Sequence, residues 1–201
     1  MLHPFGIDSK PNLDFARQQS LLQLAEAEGK DPVEVYVERL LASEGREFFN
    51  FWMFGGNLDN QWKYMQLPHV VPMLGDAGAH VGFFTDTDSP TVLLSELTRE
   101  QGVYSLPEAV HRITGKSAAI IGLKERGELR EGWHADINVI DYENLSTCHP
   151  EYVNDFPHGG GRFVVKGKGY DATIVGGKVI IKNGKHTGHR PGRVIREFVR
   201  G

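Results

Sequence analysis

The residues best suited to chemistry in this 201-residue sequence lie together in Gly75-Asp76-Ala77-Gly78-Ala79-His80. A carboxylate just past an apolar run (VVPML, 70–74) occupies the place where α/β barrels put catalytic groups, beyond the C-terminal end of a strand. Glycines on either side let the backbone turn sharply beside a ligand. His80, four residues on, can point into the same pocket. The same residues also make an ordinary turn, and alone they do not decide between the two readings.

Other candidates are weaker. Gly115-Lys116-Ser117 has the end of a phosphate-binding loop, but position 110 is Val where that motif needs Gly, and no strand precedes it; a helix break is the simpler reading. His186 and His189 have metal-ligand spacing but lie in a polar, glycine-rich stretch. Asp86 and Asp88 lack the glycine and distal glutamate of a calcium loop and read as helix caps. Gly159-Gly160-Gly161-Arg162 reads as a turn before it reads as an anion site. Cys148 has no CxxC partner or activating neighbour in sequence. Phe48, Phe49, Phe51, Trp52 and Phe54 suit strand packing better than base stacking. The nine histidines include no His-x-His pair.

The elements that must position these groups change character near residue 122. Residues 1–122 hold fourteen leucines, whereas 123–201 hold three, with fourteen valines plus isoleucines and thirteen glycines. Leucine favours helices; β-branched residues punctuated by glycine favour short strands and turns. Residues 14–29 predict a helix stopped by Gly29, and Asp31-Pro32-Val33-Glu34 opens a second, running to about Ser43. FFNFWMF (48–54) and VVPML (70–74) predict buried strands, with a short helix between them. Ser89-Pro90 opens the helix TVLLSELTRE, and Ser105-Leu106-Pro107-Glu108 opens another. This order is α/β, with strands covered on both faces. Beyond 122, ADINVID alternates as a strand does, and Gly176-Gly177 and Asn183-Gly184 mark tight turns. The expected division is 1–122 and 123–201, the second a small β-rich domain.

A net charge of -4 without a basic run excludes an electrostatic footprint for nucleic acid. No apolar run approaches the roughly 20 residues that cross a bilayer. One cysteine and no visible leader point to the cytoplasm.

Three segments taken in order, LGDAGAH (74–80), SLPEAVHRITGKSAAIIGLKERGELREGWHADINVID (105–141) and GGGRFVVKGKGYDATIVGGKVIIKNGKHTGHRPGRVIR (159–196), resemble the end of a D-aminoacylase-type amidohydrolase. The most specific piece runs from Gly122 to Asp141. GYDATIV and Thr187–Arg193 narrow the likeness to the D-aminoacylase branch. The resemblance implies the last strand–helix units of a TIM-type barrel, then a β-rich domain that 123–201 would form. It implies a zinc-dependent enzyme cleaving the amide of N-acyl-D-amino acids. Asp76 would be the aspartate after the eighth strand, touching the metal and moving the proton. A carboxylate suits that task because it can take a proton from metal-activated water and return it to the departing nitrogen. His80 would help hold the substrate carboxylate. Gly75 stands where the family usually has Ser or Thr.

The resemblance also implies metal ligands with no counterpart here: a His-x-His pair, further histidines, and a cysteine or modified lysine. A complete barrel takes about 250 residues. The expectation is therefore the C-terminal part of a longer or split enzyme, inactive and weak in zinc binding without its N-terminal barrel portion, and open to self-association. Two alternatives stand beside it: a cyclic-amide hydrolase of the hydantoinase or dihydroorotase kind using the same Asp76, and a non-catalytic remnant serving as a binding or oligomerisation module.

Overall fold

The computed structural model describes residues 2–7, 19–51, 58–72, 75, 78–82, 87–196 and 198. In chain order its elements begin with β1 (Leu2–Ile7), α1 (Leu21–Glu28), α2 (Pro32–Ala42), β2 (Glu47–Phe51) and α3 (Leu58–Met65). Then come α4 (Ser89–Val92), which runs on into a π-helix (Leu93–Glu100), α5 (Leu106–Ile113) and α6 (Gly115–Ile120). The strands β3 (Ile137–Ile140), β4 (Ser146–Thr147), β5 (Glu151–Val153) and β6 (Arg162–Val164) follow. The last four are β7 (Gly167–Lys168), β8 (Tyr170–Val175), β9 (Lys178–Lys182) and β10 (Lys185–His186). The chain forms two compact units, one from 1–59, 78–85 and 149–165, the other from 60–77, 86–148 and 166–201.

In the first unit, β1 and β2 pair antiparallel. Helix α1 starts at Ser20, whose hydroxyl accepts from the Gln23 amide while the Gln23 side chain accepts from the Ser20 amide. This reciprocal cap sets the start later than the expected residue 14; residues 14–18 lie outside the described ones. Gly29 ends the helix at φ 66°, a left-handed conformation that glycine adopts without strain. Helix α2 begins as expected, with Asp31 accepting from the Val33 amide and Pro32 at the first position. Leu21, Ala25 and Val35 form its small core, backed by Leu24, Tyr36 and Phe49. The β5–β6 hairpin joins the unit through rings: Phe48 lies 4.9 Å from Tyr152 and 5.1 Å from Phe163. A Cβ at Gly161 would overlap the Tyr152 ring, which explains glycine there.

The second unit has a core of Leu93, Leu94, Leu97, Tyr104, Ala109 and Leu145, with Ile140 and Tyr170 packed on it. Helical and strand residues from both sides of position 122 thus share one apolar cluster. Arg99 ties them further, donating to the carbonyls of Tyr142 and Leu145 at 2.6 and 2.9 Å, and the hydroxyls of Thr91 and Tyr170 meet at 2.7 Å. Where TVLLSELTRE predicts an α-helix, the backbone widens: the Gln101 amide donates five residues back to Glu96. The Thr98 hydroxyl likewise donates five residues back, to Leu93. This wider turn buries Leu93, Leu94, Leu97 and Thr98 together.

Gly127 holds φ 84°, and a Cβ on it would sit 2.7 Å from the Ala118 methyl and 2.9 Å from the Thr114 carbonyl, so the backbone passes directly over α6. Asp136 pairs with Arg126 and accepts from the Gly176 amide at 2.9 Å, joining the segment before β3 to the β8–β9 turn. The sheet runs β10-β9-β8-β3, antiparallel throughout, with the two turns where Gly176-Gly177 and Asn183-Gly184 predict them.

All described strand pairs are antiparallel. The expected partnership of 48–54 with 70–74 is not among them. Residues 47–51 form a strand, but its partner is β1, and 52–54 lie outside the described residues. Val70, Val71 and Pro72 are irregular, while Met73 and Leu74 lie outside. Two causes act on 70–72: Pro72 offers no amide to a ladder, and the Val70 carbonyl is taken by a side chain, Arg112, at 2.8 Å.

Candidate active site

Of the two residues expected at the site, Asp76 lies outside the described residues; its neighbour Gly75 is half-buried and irregular. His80 is exposed in the turn 78–82 of the first unit, with φ 47°. A left-handed conformation is uncommon for a residue with a Cβ, and the next residue anchors it. The Val81 carbonyl accepts from the Phe163 amide at 2.8 Å, fixing the His80 turn to β6.

The approach to Asp76 is held from the second unit. After α3 the chain turns through Gln66–Val70, and Arg112 of α5 reaches it from the side. Its Nη1 donates to the carbonyls of Met65 at 2.7 Å and Val70 at 2.8 Å, and Nη2 to Gln66 at 3.1 Å. Its Nε donates to Glu108 at 2.6 Å, and the guanidinium lies 4.9 Å over the Tyr104 ring. Lys116 adds a bond to the Pro68 carbonyl at 2.5 Å. Arg112 is only 4% exposed. The Tyr104 hydroxyl beside it is buried without a hydrogen-bond partner, and burial pushes its pKa above the usual tyrosine value. An open cavity of about 690 Å³ adjoins this turn, walled by Trp62, Met65, Pro72, Leu93, Leu97 and Ile113. Its lining suits an apolar group.

The weaker candidates resolve into structural roles. Lys116 and Ser117 bond to the carbonyls of Pro68 and Arg112. Arg162 forks onto Asp155 with two bonds of 2.7 Å and lies over Phe156. The guanidinium holds the Asp155 carboxyl below its ordinary pKa. His186 accepts from the Gly188 amide, and His189 meets the Thr187 hydroxyl at 3.2 Å, so both serve the turn they occupy. Asp88 takes the N-cap position of α4 without a side-chain capping bond, a departure from the expected cap; Asp86 lies outside the described residues. Phe48 packs on rings, as strand packing predicts. Among the described residues no group of three or more His, Cys, Asp or Glu could hold a metal ion. No helix among them is long and apolar enough to cross a membrane.

The fold and the approach to the 74–80 segment define an α/β protein of the amidohydrolase kind. The chain belongs to the amidohydrolase family, whose profile matches residues 17–181. It is 38% identical over 106 residues to an N-acyl-D-aspartate deacylase of Alcaligenes xylosoxydans xylosoxydans, a match covering 52% of this chain and 19% of that protein. It is 36% identical over 94 residues to a dihydroorotase of Endomicrobium trichonymphae, covering 45% and 21% respectively. The chain thus spans about a fifth of the length of these curated relatives. In structure it is similar to a D-aminoacylase point mutant crystallised with copper chloride, with TM-score 0.53 and 22% identity over 98% of this chain and 38% of that one.

Sequence reading passed over Arg112, Arg99 and the Arg126–Asp136 pair. Arg112 left one signal: it falls three residues after Ala109, on the face of α5 that the fold buries.

Proposed function

We propose that this chain supplies the C-terminal catalytic segment of a metal-dependent amidohydrolase that deacylates N-acyl-D-amino acids. The 38% identity to an N-acyl-D-aspartate deacylase carries the reading. In it, residues 1–122 belong to the barrel part and 123–201 to a β-rich domain. Asp76 is the group that accepts a proton and returns it to the leaving nitrogen, and His80 steadies the substrate carboxylate. Zinc, when bound, would supply a polarised water as the nucleophile. The described residues do not by themselves offer the roughly three protein donors of such a site. Asp76 is this chain's contribution, and the other ligands come from residues outside the described ones or from another part of the enzyme.

The decisive experiment uses the enzyme that contains this segment, assembled with its upstream portion. Asp76→Asn keeps the shape of the side chain but removes its basicity. Turnover of an N-acyl-D-amino acid should fall about 10²–10⁴-fold, with little change in melting temperature. Unchanged turnover, or an unfolded protein, would make Asp76 a structural turn residue. The identity to a dihydroorotase supports a second reading with the same carboxylate. Ring opening of a cyclic amide, with N-acyl-D-amino acids left intact, would favour it.

A further inference from the structure

We propose that Arg112 is a positioning residue for the candidate carboxylate: with Lys116 it gathers the carbonyls of residues 65–70 and so sets where the chain departs towards Asp76. The proposal rests on the reading of Asp76 given above. Burying a guanidinium is unfavourable, and an apolar side chain of similar volume often serves stability as well or better. Stability alone therefore does not account for a 4% exposed arginine on the inner face of α5. What an apolar side chain cannot do is bind backbone. The carbonyls of Met65 and Gln66 stand at the end of α3, where the helix leaves them without amides and the helix dipole presents its negative pole. Pro68 prevents the helix from supplying those amides by continuing. Arg112 takes both carbonyls and that of Val70, and Lys116 takes that of Pro68.

The clamp is itself braced. Glu108, one turn earlier on α5, receives Nε, and the Tyr104 ring supports the plane of the guanidinium. The fork arrives already oriented, which the flexible, compact ammonium of a lysine cannot reproduce. Val70 precedes Asp76 by six residues, at most about 20 Å of extended chain. Misplacing a reacting group by about 1 Å can cost on the order of 10²-fold in rate.

The test combines hydrogen exchange on the full chain with kinetics of the assembled enzyme. Arg112→Lys keeps the charge and loses the fork. Amides of Leu67 and Val70, which close the turn, should exchange at least tenfold faster, while those of β8 and β9 keep their rates. In the enzyme, kcat should fall at least tenfold with KM within twofold, and added guanidinium should restore part of the kcat lost in Arg112→Ala. Acceleration spread evenly over the turn and the β8–β9 hairpin would reduce Arg112 to a general stabiliser and overturn the proposal. So would a loosened turn with kcat unchanged. Should Arg112→Lys fail to fold, Lys116→Met, half-buried at the rim, carries the same comparison with a smaller effect. Failure of the functional reading shows separately, as an Asp76→Asn enzyme of full activity with Arg112 intact.

Discussion

Tyr104 carries a conflict that a single atom could relieve. Its ring packs in the core of the second unit and supports Arg112, while its hydroxyl is buried with no partner. Tyr104→Phe keeps the ring and removes the stranded oxygen, so stability in urea should rise by about 1 kcal/mol. The raised pKa gives a second signature. A group whose pKa is higher when folded contributes stability below its unfolded value, near 10, and loses it as pH rises through the folded value. The wild-type chain should therefore weaken from about pH 10 upward, and Tyr104→Phe should flatten that decline in melts taken between pH 8 and 11. At this scale the sequence was legible where function is written in local residue types. Asp76 and His80 stand out because glycine, carboxylate and imidazole crowd one turn. Arg112 did not, because its meaning depends on carbonyls more than forty residues earlier in the chain.

At the scale of elements, the family signature from Gly122 to Asp141 turns out to consist of contacts. Gly127→Ala combines a positive φ with overlap against Ala118 and Thr114, and should cost about 3 kcal/mol. Gly102→Ala, at φ 63° with open space around the added carbon, should cost only about 1–2 kcal/mol. Equal losses in paired denaturation curves would remove close packing as the reason for Gly127. Asp136 allows a finer comparison. Asp136→Asn keeps an acceptor for the Gly176 amide and loses the pair with Arg126; Asp136→Ala loses both. Because the pair is partly exposed, most of a loss of about 1–2 kcal/mol should appear only in the alanine variant. The capped starts of α2 and α5 and both hairpin turns could be read directly, since caps and turns are chemistry of adjacent residues. The π-helix could not, because Leu93–Glu100 has ordinary helical composition, and its widening is visible only in the buried packing of Leu93, Leu97 and Thr98. Nor could the partner of 47–51, which sits forty residues away at the N-terminus.

Over the whole molecule, α2 presents Val33, Val37 and Leu41 on one exposed face, at 66, 45 and 74% exposure. Spaced four apart, they form an apolar stripe, and such a stripe favours association. Light scattering of the chain alone should show concentration-dependent self-association, reduced by Leu41→Glu without loss of helicity. Metal analysis after dialysis belongs to the same scale: zinc should remain well below stoichiometric, with no hydrolysis of N-acyl-D-amino acids. Stoichiometric zinc with turnover would mean that the chain is a sufficient enzyme. The interleaving of the two units bears on how the protein is made. The first unit is not complete until β5 and β6 exist, so Phe48 is synthesised long before Tyr152 and Phe163, the rings that cover it. At about 5–20 residues per second, that interval is on the order of ten seconds. Through it, the sticky half of an unfinished unit sits in the nascent chain beside stretches of the other. Neither unit can fold and leave the ribosome's reach ahead of its neighbour, and the chain has to be shielded through most of its translation.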